Sequence, residues 1–146
     1  MCEMHSGFTH LRSGMPCNIK FRCVGLPASS YSEGLLQDIA RIEEIWSDAR
    51  IRFAGANSDG TTNSNEKGPY LFGVFTAADA YYAPVVWRFN TYNVKLTNPV
   101  AKKYMEMMLN DEFMKEWEAE ALAEGDEKAI QHYDESTRRI GGDDRQ

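Results

Sequence analysis

The sequence predicts an all-α fold, a bundle of five to six helices, and three observations carry that prediction. Apolar residues recur at helical spacing in separate segments, helix-start signals precede most of those segments, and no stretch alternates polar and apolar residues as a half-buried strand would. The chain has 146 residues, the size of one domain with a single core, and its apolar fraction of 42% is well above that of a disordered chain. Residues 1–125 form the predicted helical domain and 126–146 a polar tail.

In the first segment Met4, Phe8, Leu11 and Met15 fall at intervals of four, seven and eleven residues, which is one stripe of an amphipathic helix. Pro16 ends or kinks it. Gly25-Leu26-Pro27 is a turn, and Ser30-x-x-Glu33 offers a capping box for a second helix. Along that helix Leu35, Ile39, Ile42, Trp46 and Ala49 alternate spacings of four and three, the seam of a helix packed nearly antiparallel on the first. Residues 55–69, rich in Gly, Asn, Ser and Thr, are a loop too long and polar to be buried and the internal segment expected to be disordered. Tyr70 to Phe75 form a short apolar lead into the next element.

The most informative stretch follows. Thr76 and Asp79 make a reciprocal capping box, and the helix after it is apolar or aromatic on nearly every side from Ala77 to Phe89, so it is expected at the buried centre of the domain. Asp79 is then buried too, satisfied by backbone donors at the helix N-terminus. Pro84 removes the bond to the Ala80 carbonyl and predicts a bend at residues 80–84. Asn98-Pro99 starts another helix with Tyr104, Met105, Met108 and Leu109 inward. Asp111 caps the next, with Phe113, Met114, Trp117 and Ala121 on its inner side and Gly125 as its stop. Beyond it the tail carries at most a short helix around Lys128 to Tyr133, and Gly141 onward is expected to be loose.

Charge excludes some functions. The net charge is −6, and from Asp111 to Gln146 twelve acidic residues stand against five basic, which leaves the first 110 residues near +1. No basic face exists for phosphates, so nucleic acid is not an expected partner. No apolar run approaches the roughly 18 residues of a membrane span and the first residues are not a signal peptide, which makes a cytoplasmic location the default and excludes a membrane partner. Cys2, Cys17 and Cys23 are odd in number and fit no zinc or redox spacing, so free thiols and no metal are expected.

The Thr76-x-x-Asp79 box and its apolar helix resemble the core helix of the C-terminal domain of the glutathione S-transferase family, where a Ser/Thr-x-x-Asp box opens the sixth helix. Glu3-Met4-His5-Ser6-Gly7-Phe8 is similar to the opening of that domain in bacterial members, Asp38 to Ile42 with Trp46 to its second helix, and Glu116-Trp117 with Ala121 to Glu124 to its last core helix, together covering residues 3–124 in the family's order. The resemblance implies the family's helical bundle. It also implies half an architecture, because a complete transferase opens with a thioredoxin-like domain that holds glutathione and supplies the thiol-activating Tyr, Ser or Cys, and no residues remain for it here.

Catalysis and a cofactor are therefore not expected of the isolated chain, and glutathione only if a thioredoxin-like domain is supplied. Thr76 and Asp79 are structural, with no His near them in sequence to act as a base. In the family's beta class a similar segment puts its His at the cleft between the two domains, which makes His5, Thr9 and Arg12, a polar face beside the apolar stripe, cleft-facing candidates against a solvated or dimer-facing surface. That class usually carries Lys where this chain has Ser6. Arg88, at the end of an apolar helix, needs a partner, whether a substrate carboxylate, an acidic side chain or a helix C-terminus. Two functions follow from the resemblance. One is a stand-alone module that binds a small hydrophobic ligand or another protein, expected as a homodimer, since the family uses this domain for its hydrophobic co-substrate and for dimer contacts and related domains serve as assembly modules in translation complexes. The other is half of a glutathione transferase completed by a separate domain.

Overall fold

The computed structural model describes residues 2–25, 27–61, 63–125 and 131–141, and among them the fold is all-α with no β-strand. Its helices are α1 (Cys2–Ser6), α2 (Thr9–Gly14), α3 (Glu33–Ala49, continued by a π-helical turn Arg50–Ala54), α4 (Ala77–Thr91), α5 (Pro99–Asn110), α6 (Glu112–Ala123) and α7 (Gln131–Gly141). The centre is α4, whose Val85, Val86, Trp87 and Phe89 are all buried. Trp46 of α3 ties three helices together, its ring centroid 5.6 Å from Tyr82 and from Phe89 of α4 and 5.0 Å from Tyr104 of α5. The indole N–H groups of Trp46 and Trp87 are buried with no hydrogen-bond partner among the described residues.

The first helix is not continuous as its stripe predicts. Phe8 adopts a left-handed conformation (φ 55°, ψ 42°) that separates α1 from α2. Gly7 makes the break feasible, because its N–H closes α1 on the Glu3 carbonyl at 2.7 Å and a Cβ there would lie 2.5 Å from that oxygen. The reason for the break is tertiary: Met4, Phe8, Leu11 and Met15 are all buried, so the stripe holds while the backbone re-aims to keep it on the core. A left-handed Phe costs on the order of 1–3 kcal/mol, which burial of its ring, worth about 1.5–3 kcal/mol, offsets.

Carboxylates on the core helices cap their neighbours. Asp38 of α3 accepts from the Leu11 N–H of α2 at 2.9 Å, and Glu43 of α3 accepts from the Thr97 and Asn98 N–H groups at 2.6 and 2.8 Å just before α5. Asp79 is fully buried and takes four bonds, from the Leu71 N–H, the Tyr104 hydroxyl, the Thr76 N–H and the Thr76 hydroxyl. The predicted box at Thr76 is thus part of a larger network. Ser32, not Ser30, caps α3, accepting from the Leu35 N–H at 3.3 Å, while Ser30 sits in a preceding 3₁₀ turn.

The polar loop after α3 is tethered, contrary to the expectation of disorder. Arg50, buried on the π-helical turn, donates to the carbonyls of Gly68 and Tyr70 at 2.6 and 2.7 Å and pairs with Glu66, while Asn63 Nδ2 donates to the Gly55 carbonyl at 3.0 Å. Burial lowers the Arg50 pKa, yet backbone oxygens and Glu66 surround the charge. Two further expectations change at the C-terminal end. Of the residues assigned to the inner side of α6 only Met114 is buried, with Phe113 and Trp117 exposed, because α6 lies against the bundle along a narrow strip beside α5. The expected polar tail carries α7, which docks by Asn18 donating to Asp134 at 2.8 Å, by Tyr92 donating to the buried Thr137 hydroxyl at 3.3 Å and by Arg138 stacked over Phe21. Residues 126–130 and 142–146, where the remaining expectations for the tail fall, lie outside the described residues.

Candidate functional site

Between α1–α2 on one side and α4 on the other lies an open cleft of about 540 Å³ lined by Met4, Arg12, Ala80, Tyr81, Pro84 and Arg88. Its α4 wall follows from helical spacing, since Tyr81, Pro84 and Arg88 fall three and seven residues apart on the face of α4 turned from the core. Its other wall follows from the break at Phe8. Met4 comes from α1 and Arg12 from α2, and the Arg12 guanidinium donates to the Met4 carbonyl, which ties the two short helices together.

Arg88 is half-buried and held by carbonyls. Its Nε donates to the Met15 carbonyl at the C-terminus of α2 at 2.8 Å, and a terminal nitrogen donates to the Pro84 carbonyl one turn back at 3.0 Å. Of the partners considered from sequence, the helix C-terminus is the one present. These oxygens orient the guanidinium without cancelling its charge, and among the described residues no ion pair includes it. Burial lowers the Arg88 pKa and the nearby Arg12 charge lowers it further, while Cys17 acts in the opposite direction. Burial likewise raises the Cys17 thiol, against the opposing effect of Arg88.

A second, smaller cavity of about 80 Å³ adjoins the cleft and shares Met4 and Tyr81 with it. Its remaining wall is apolar or aromatic, including Ile45, Ala49, Leu71 and Tyr82. Both arginines line the cleft, and neither lines the smaller cavity. Arg12 and Arg88 therefore meet in one place, whereas Thr9 is exposed outside that lining and the His5 side chain lies outside the described residues. Thr76 and Asp79 belong to the core network and not to the cleft.

Sequence reasoning placed Met4 in the core stripe and Tyr81 in a wholly buried helix, and so missed both as cleft walls. The signal for Tyr81 was Arg88 itself, because a cation on α4 marks a face that is not core, and the residues four and seven positions before it share that face.

No family model, curated protein or solved structure matches this chain.

Proposed function

We propose that this chain is a helical binding module akin to the C-terminal domain of glutathione S-transferases, and that its ligand is a small molecule lodged in the cleft between α1–α2 and α4. The observation that carries the reading is the convergence of Arg12 and Arg88 on an otherwise apolar cleft whose size suits a drug-sized molecule. Oriented cations beside apolar walls supply the few placed polar groups and the larger apolar area that such sites use. Amide-resolved NMR of the chain titrated with small apolar and amphipathic compounds tests it. Shifts centred on Ala80, Tyr81 and Arg88 support the reading, and their absence at millimolar ligand overturns it.

The module has no catalytic machinery of its own in this reading, and glutathione is a ligand only with a thioredoxin-like domain present. The purified chain then turns over no chlorodinitrobenzene with glutathione. A homodimer fits the same reading, because Phe53, Phe72, Val74, Phe75 and Phe113 are exposed large apolar residues, with ring centroids 5.2 Å apart for Phe53–Phe72 and 6.3 Å for Phe75–Phe113. Sedimentation of Phe75→Glu beside the parent chain tests this, with a clean monomer for both counting against a dimer.

A further inference from the structure

We infer that the ligand of this cleft is an amphiphilic carboxylate, its head between Arg12 and Arg88 and its apolar chain passing Met4 and Tyr81 towards the smaller cavity. The inference rests on the cleft being a binding site and adds the chemistry of what it takes.

Geometry sets the head. Two planar guanidiniums in the lining of one cleft match the fork of a carboxylate, and the two carbonyl bonds of Arg88 use two of the five donors a guanidinium has. The bonds to Met15 and Pro84 fix that group before any ligand arrives, so little rotamer entropy is lost on binding.

The chain end is set by the two lining residues that the cavities share. Met4 and Tyr81 line both, and the smaller one offers Ile45, Ala49, Leu71 and Tyr82 with little polar surface. A thioether and a half-exposed ring are surfaces that adapt to a flexible alkyl chain. Neither cavity alone asks for an amphiphile; their junction does.

The test is calorimetric titration of the full chain at neutral pH with sodium octanoate, 1-octanol and sodium acetate, paired with NMR of the same mixtures. Octanoate is expected to bind at least about tenfold more tightly than octanol or acetate, the factor that about 1.4 kcal/mol supplies. Arg12→Gln, on an exposed side chain, should lose about that tenfold for octanoate and leave octanol unchanged, while Tyr81→Ala should weaken octanoate and octanol together. Equal affinity for octanoate and octanol, or indifference of octanoate to Arg12→Gln, overturns the inference. If octanol still shifts Ala80 and Tyr81 in that case, the binding module survives without its carboxylate; if neither compound shifts them, both readings fall.

Discussion

The Tyr104 hydroxyl donates to Asp79 Oδ1 at 3.1 Å, joining α5 to the N-terminus of α4 inside the core. Asp79 is thereby more than a cap. Its second oxygen serves Thr76 and its first also takes the Leu71 N–H at 3.0 Å, so one carboxylate holds the turn before α4, the start of α4 and the middle of α5. Asp79→Ala leaves the Leu71 N–H and the Tyr104 hydroxyl buried and unpaired and uncaps the part-buried Thr76, and is expected to cost about 3 kcal/mol, against about 1 kcal/mol for Tyr104→Phe. Denaturant midpoints of the two variants check the order, and equal losses would contradict it.

Arg50 and Glu66 form a buried pair, their side chains 3% and 10% exposed. Arg50→Met leaves Glu66 with only the half-exposed Lys103, 3.8 Å away, so it is expected to cost about 3 kcal/mol, and the double variant Arg50→Met/Glu66→Met less than the single one. The same variants should release the loop of residues 55–69, since Arg50 also holds the Gly68 and Tyr70 carbonyls. Amide exchange at Lys67, whose N–H donates to the Ala54 carbonyl at 2.8 Å, reads that release directly.

Alkaline pH should unfold the chain through its buried phenols. Burial pushes Tyr82 and Tyr92 up to about 12 from the ordinary 10.0. The fold favours their neutral form, so their contribution is complete below pH 10, where the unfolded phenol is also neutral, and is lost as pH rises towards 12. Denaturant midpoints across that window should fall, and Tyr82→Phe should flatten the slope. A midpoint independent of pH above 10 would show that these rings reach solvent.

Ending the chain after Gly125 should destabilise it, although composition marks the removed segment as polar. Thr137 is fully buried and accepts from the Tyr92 hydroxyl, and Arg138 covers Phe21. A shortened chain is expected to melt several degrees lower, as a loss of about 1–2 kcal/mol implies for a domain of this size, and to bind an apolar dye more strongly. An unchanged melting temperature would mean that α7 packs without stabilising.

Much of the fold was legible because helical period encodes burial directly. Every residue of the stripes at Met4 to Met15 and Leu35 to Ala49 is buried, and the starts of α4, α5 and α6 lie at Thr76, Asn98 and Asp111 as their cap chemistry predicts. What was not legible depended on partners distant in sequence. Phe8 turns left-handed to stay on the core, Arg50 reads as a surface charge until the Gly68 and Tyr70 carbonyls close around it, and Phe113 stays exposed although the Phe75 ring, itself exposed, lies beside it, with Trp117 exposed as well. The cleft was half legible. Arg88 stood out as a cation on an apolar helix, but the carbonyl that orients it belongs to Met15, 73 positions earlier.

The two buried indoles give the chain a built-in optical reporter. Trp46 and Trp87 are shielded from solvent with their N–H groups unbonded among the described residues, whereas Trp117 is 39% exposed. An excited indole relaxes little in a dry, rigid shell, so the first two should emit at short wavelength and resist iodide quenching while Trp117 emits to the red and is quenched. Because Trp46 touches Tyr82, Phe89 and Tyr104 at once, loss of its blue emission marks the moment at which α3, α4 and α5 part. With Trp117→Phe as background, the light from this protein comes from its core alone.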